Sequence, residues 1–229
     1  MVLTNSSSGK LFAKKMEQCY DKIRATFPFE EITGNRLMPV LLFRTNRQYY
    51  EFYMKKAKIS MESAEASKGH AWEDYYATYY DSPNDPVHVH EATHQIFMNR
   101  IFLAGGGSWF QEGVAEYMCE SQTDLRSAAR GNMRKKDHPT LRTLMKEPSL
   151  IAAGTDERGA DLGDLYYLLA GSLIACVRES KWGEPNFMKF ITAMGSCPDN
   201  DLEAIEAALQ RSLGFGIDEL EKRWQEHYR

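Results

Sequence analysis

Residues 85–117, DPVHVHEATHQIFMNRIFLAGGGSWFQEGVAEY, limit the possible folds of this chain more than any other stretch. Asp85 can cap a helix, and Pro86 suits the first helical position, where a missing N–H costs nothing. Val89, Ile96, Phe97, Ile101 and Phe102 then give that helix a buried side. After Gly105, Gly106 and Gly107, the pair Ser108 and Gln111 fits the reciprocal capping pattern at the start of a second helix. A link this short means that the first helix either ends early or crosses the second steeply.

The first helix carries His90, Glu91 and His94 in an HExxH pattern. Residues four apart lie one turn above each other, so the two imidazoles can address a single ion while Glu91 stands beside it without ligating. Glu112 falls in the first turns of the second helix. Two neutral imidazoles and one carboxylate make a borderline-hard donor set that suits zinc and leaves a fourth position for water. Such a site fits hydrolysis, with Glu91 taking the water's proton and returning it to a leaving amine. Glu116, one turn past Glu112, is placed to accept a hydrogen bond from a ligand imidazole and fix its tautomer. The bland alternative is two amphipathic helices with solvated charges.

The run WFQEGVAEY resembles the glutamate helix of gluzincin metallopeptidases, in particular the peptidase MA-like group, where HExxH is followed by W-[LF]-x-E-G-x-A-E-Y. The resemblance makes Glu112 the third zinc ligand, and Glu116 matches a position that is acidic in several of these enzymes. Tyr167 through Leu173 also match the group's Y-x-x-[AS]-x-[AS]-L run. Because a tyrosine donates to the oxyanion in related gluzincins, Tyr167 is the candidate for that role and Tyr166 the lesser one. The implied fold is an α+β zincin, thermolysin-like, with a small mixed sheet, the two metal helices and a helical C-terminal lobe. The implied activity is zinc-dependent peptide-bond hydrolysis on a peptide or protein substrate, with one Zn2+ per chain. The likeness spans roughly residue 37 to the C-terminus and is specific at residues 90–94 and 109–117. A rival from another class is a catalytically weak or inactive zincin-fold module that only binds peptides, which an intact Glu91 disfavours.

Elsewhere the chain sets limits more than it points to chemistry. Its net charge of -4 argues against nucleic acid as the main partner, because phosphate neutralisation needs a basic face. The apolar run at residues 165–177 is too short to span a membrane. Cys19, Cys119, Cys176 and Cys197 contain no CxxC pair and signal neither a zinc ribbon nor a dense disulfide framework. Cys119 is two turns beyond Glu112, too far to complete a four-ligand site. His88 is two residues before His90 and faces away from the ion, so a surface or capping role is expected of it. The opening MVLTNSSSGK lacks the apolar core of a secretory signal, and the compartment stays open.

In chain order, residues 1–8 read as a disordered polar lead. Residues 9–122 form the sheet-and-helix lobe with the metal site, and residues 123–229 the helical lobe. Helical spacing of apolar residues runs over 9–27, and LMPVLLFR at 37–44 reads as a buried strand followed by a helix capped at Thr45 or Asn46. Residues 59–68 look loop-like, and WEDYYATYY at 72–80 reads as a strand. In the resembling enzymes an edge strand at this position pairs with the substrate, which assigns Tyr75, Tyr76, Ala77, Thr78, Tyr79 and Tyr80 to the cleft. No amine-anchoring acidic motif is visible there, which favours an endopeptidase. The charged stretch 121–139 is expected to be a solvated face or mobile loop. Helices follow at 162–178, 187–194, 201–213 and 217–228, and the first carries a small-residue stripe of Gly163, Ala170 and Gly171 that would let a neighbour approach closely.

Overall fold

Strand β2, Val40–Phe43, realises the apolar run at 37–44 and buries Val40 and Leu42 on one face. On either side of it, β1 (Val2–Thr4) and β4 (Tyr76–Tyr79) pair in parallel, and β3 (Gly69–Ala71) pairs antiparallel to β4. The sheet order is therefore β1-β2-β4-β3. The computed structural model describes residues 1–5, 7–29, 38–79, 85–134, 139–155 and 162–229.

These strands belong to the first of two units, Met1–Phe102. Helices α1 (Gly9–Thr26), α2 (Asn46–Ala57), the short α3 (Met61–Glu65) and α4 (Val87–Ile96) complete it. Phe12, Val40, Leu42 and Tyr76 form a core in this unit, with Val2 and Met16 packed against it. Thr45 caps α2 as expected, its hydroxyl accepting from the Gln48 N–H at 3.3 Å.

The second unit, Leu103–Arg229, is built of helices: α5 (Ser108–Cys119), α6 (Gln122–Met133), α7 (Leu141–Lys146), α8 (Leu162–Glu179), α9 (Phe187–Gly195), α10 (Leu202–Leu213) and α11 (Ile217–Tyr228). Its centre is α8, buried along most of its length and packed against α5 and α6. Trp224 and Tyr228, one turn apart on α11, donate to the hydroxyl and carbonyl of Ser172 at 3.0 and 2.9 Å. That anchors the C-terminal helix to α8 through buried polar groups that are all satisfied.

The architecture is α+β, a small mixed sheet with a majority of helix. Several expectations need correction. Val2–Thr4 is a strand rather than part of a disordered lead, because the backbone of buried β2 offers it a partner that outweighs its weak local signal. Residues 59–68 contain α3, capped by the Ser60 hydroxyl, which accepts from Ser63 N–H. The charged stretch after Glu120 folds as α6, because Ser121 caps it and Leu125 and Ala129 recur one turn apart on its buried face. The two units divide between Phe102 and Leu103.

Candidate metal centre

Helix α4 begins where the sequence places it. The Asp85 carboxylate accepts from the Val87 N–H at 3.1 Å and from the Lys68 ammonium at 3.0 Å. Burial by itself pushes the Asp85 carboxyl up, but the Lys68 and Val87 hydrogen bonds outweigh it and hold the group below the usual carboxylate range. His88 corrects the sequence reading, for it is fully buried rather than at the surface. Its Nδ1 lies 3.1 Å from the Tyr76 hydroxyl, and its ring meets Phe12 edge-on at 5.0 Å. Pointing away from His90 means pointing into the sheet, and this imidazole ties α4 to β4.

On the other side of α4, His90 and His94 are half-buried and their Nε2 atoms lie 3.1 Å apart. Two nitrogens each about 2.05 Å from a tetrahedral zinc are about 3.3 Å from one another, so the pair already has the spacing such an ion requires. Glu91 is on the next stripe of the helix, with Gln95 and Asn99 following at intervals of four. Burial first, and then the Glu91 charge, raise the Tyr53 phenol, and the Glu91 charge also acts on buried Tyr49 and Tyr76. After Ile96 the helix loosens into a π-helical turn, Phe97–Ile101, and stops at Phe102 in the left-handed region, φ 57°.

The second unit holds the remaining candidates. The expected reciprocal cap at the start of α5 does not form. Ser108 instead accepts from the Leu150 N–H at 3.1 Å, and the Gln111 amide donates to the carbonyls of Gly105 and Leu103 at 2.6 and 3.2 Å. The helix start is held by Asp199, whose carboxylate accepts from the Gly107 N–H at 2.9 Å and complements the helix dipole. Gly106 and Gly107 are left-handed, and Gly106 packs so tightly that a Cβ there would stand 2.7 Å from the Met194 carbonyl. This is why the link is made of glycine.

Glu112 is half-buried in the second turn of α5, and Glu116 one turn later is buried, with the Cys119 thiol 3.7 Å from its Oε1. The small-residue stripe on α8 does what its spacing implies. Ala170 lies against Gly113, and Gly171 against Glu116, so α5 and α8 approach closely at this level. Tyr167, one turn before Ala170 and Gly171, is half-buried on the same stripe, whereas Tyr166 is buried.

The expected cleft strand is not an edge. Within β4, Tyr76, Ala77 and Thr78 are buried, and the strand pairs with β2 on one side and β3 on the other, so its backbone groups are already engaged. Of the expected strand at 72–80 only Tyr76–Tyr79 forms among the described residues, residues 72–75 making a turn before it, and the burial of β4 comes from its central place in the sheet. Tyr75 precedes β4 in a turn closed by the Trp72 N–H on the Tyr75 carbonyl at 2.8 Å. Tyr79 is half-buried, with its hydroxyl 3.4 Å from that of Tyr50, and Tyr80 lies outside the described residues.

Two polar residues of α4 and its π-helical end escaped the sequence reading. Gln95 donates to the carbonyls of Trp72 and Tyr75, and Asn99 donates to that of Glu73 at 2.9 Å. Their spacing after Glu91 was the available signal: polar residues at intervals of four on a side of the helix that is otherwise buried. Neither a protein-family model nor a curated protein sequence matches the chain.

Proposed function

We propose that this chain is a zinc-dependent peptidase of the gluzincin type, similar to the peptidase MA-like group, in which His90, His94 and Glu112 hold one Zn2+. The observation that carries the reading is the convergence of the His90 and His94 Nε2 atoms at 3.1 Å on one face of α4. A pair of imidazoles and a carboxylate is a donor set chemically suited to zinc, and each of the three side chains offers one ligand atom. On this reading the α+β architecture is that of a zincin, with α4 and α5 as its two metal helices.

Bound zinc supplies Lewis acidity, lowering the pKa of a bound water to about 7 and polarising a substrate carbonyl. The protein's own residues do the rest. Glu91 is the general base: it does not ligate, it neighbours the ligand face, and it removes a proton from the attacking water and delivers it to the departing amine nitrogen. Glu116, buried one turn beyond Glu112, fixes the orientation of a ligand imidazole by accepting its second N–H. Tyr167 donates a hydrogen bond through its phenolic O–H to the oxygen on which negative charge develops, a contribution of about 3 kcal/mol in comparable sites. The substrate is a peptide or protein, cut internally.

The test is metal content joined to cleavage. Purified protein is expected to hold one zinc per chain and to cleave peptides in a chelator-sensitive way. Glu91→Gln should lower cleavage by roughly a hundred-fold or more while keeping its zinc. His90→Ala should lose the metal. A Glu91→Gln protein that cleaves as fast as the parent, or a His90→Ala protein that keeps full zinc, defeats the proposal.

A further inference from the structure

A group of aromatic rings from α2 and the β3–β4 hairpin lies against the helical stripe that begins at Glu91, at the level of Gln95 and Asn99. Trp72 stacks on Tyr75 with centroids 5.2 Å apart, His70 meets Trp72 at 4.4 Å, and Tyr53 stacks on His70 at 5.2 Å. All four are half-buried, so part of each is accessible while the rest is packed against its neighbours.

The group is attached to α4 in a specific way. Glu91, Gln95 and Asn99 follow one another at intervals of four along one stripe. Gln95 binds the carbonyls of Trp72 and Tyr75, and Asn99 binds that of Glu73, so the turn at residues 72–75 is held by side chains from the stripe that begins at Glu91. Buried amides used up on turn carbonyls fix that turn's position, because releasing them would leave polar groups unsatisfied.

We propose that Tyr53, His70, Trp72 and Tyr75 form a shelf that selects an aromatic side chain of the peptide substrate, and that Gln95 and Asn99 are positioning residues that hold this shelf against the stripe that begins at Glu91. The proposal rests on the peptidase reading for the identity of the ligand as a peptide. The surroundings decide which side chain fits. The Lys56 ammonium already lies over the Tyr75 ring, 5.5 Å from its centroid, and Lys55 and Lys58 are exposed nearby in sequence, so a basic side chain meets repulsion where it would seek a π face. Exposed Glu73 and Asp74 at the turn disfavour an acidic one. An uncharged ring can stack or sit edge-on against the group without desolvating a charge.

The experiment uses the zinc-loaded Glu91→Gln protein and a set of peptides identical except for one central residue, Phe, Ala or Lys, with binding followed by calorimetry. The Phe peptide is expected to bind about ten-fold more tightly than the Ala peptide, and the Lys peptide no better than Ala. Trp72→Ala should erase the Phe preference. Gln95→Ala should reduce the preference and raise hydrogen exchange at the amides of residues 72–75, and Asn99→Ala serves if that variant folds poorly. Equal binding of Phe and Ala peptides overturns the shelf, even if the parent protein cleaves all of them. If the parent cleaves none, yet the Phe preference appears and depends on Trp72, the shelf stands and the peptidase reading falls.

Discussion

Gly171 lies directly against Glu116: a methyl group at residue 171 would stand 2.8 Å from the Glu116 Cβ and 2.9 Å from Leu125 Cδ2. The missing side chain lets α8 reach α5 at the turn that carries Glu116. Gly171→Ala gains up to about 1 kcal/mol of helix propensity but forces buried atoms apart, which costs about 1–3 kcal/mol. A lower melting temperature is expected. Gly131, exposed in α6 with nothing within 4 Å of an added Cβ, has no such contact, and Gly131→Ala should raise it. If both variants move stability in the same direction, the close α5–α8 approach does not govern Gly171.

Removal of metal supplies an independent check on the histidine pair. A ligand that binds only the folded state stabilises it by mass action, about 2.7 kcal/mol at a free concentration one hundred times its dissociation constant. Adding zinc to chelator-treated protein should therefore raise the melting temperature, and His94→Ala should abolish that rise. Were the 3.1 Å approach of His90 and His94 only a shared proton between two neutral rings, zinc would leave the transition unmoved.

Much of this arrangement was legible in the sequence because it is local. HExxH on a capped helix, the strand at Val40–Phe43 and the stripe on α8 are all written as spacing, and spacing survives folding. What was not legible depends on distant partners. The pairing of Val2–Thr4 with β2 spans more than thirty residues. Ser108 and Gln111 have the right types for a reciprocal cap, yet Leu150 and the glycine carbonyls compete for them, and Asp199 takes over the helix start from far along the chain. The burial of His88 depends on distant partners in the same way. It faces away from His90 as helical spacing requires, but the Tyr76 and Phe12 that cover it come from separate segments of the chain.

The N-terminus of α4 should respond to acid through Asp85. The folded protein keeps this carboxylate charged to lower pH than the unfolded chain does, since Lys68 and the Val87 N–H outweigh the cost of burying it. On acidification the unfolded chain takes up the proton first, so the stability due to Asp85 is fully present above about pH 4 and is lost as pH falls through its lowered value in the folded state. Asp85→Ala should be less stable than the parent by about 1 kcal/mol near neutrality. That gap should persist down to about pH 4 and close in stronger acid. A gap that is constant across the whole acid range would mean that the charge of Asp85 contributes nothing.

The pair Tyr76 and His88 joins the central strand to the helix that carries His90 and His94, and both members are buried at 1% and 0% exposure. One hydrogen bond of 3.1 Å between them would be a small contribution in water, but here a lost partner cannot be replaced by solvent. Tyr76→Phe is expected to cost about 1–3 kcal/mol, because the imidazole Nδ1 stays buried without the phenol. His88→Leu should cost less, because the Tyr76 hydroxyl keeps Thr78 as a hydrogen-bond partner. With both replaced, neither polar group is left to be satisfied, so the double variant should be more stable than the sum of the two losses implies, by about 1 kcal/mol. Denaturant titration of the four proteins measures that coupling. Strict additivity would mean that the contact between Tyr76 and His88 holds α4 to the sheet by packing alone, with the hydrogen bond adding nothing.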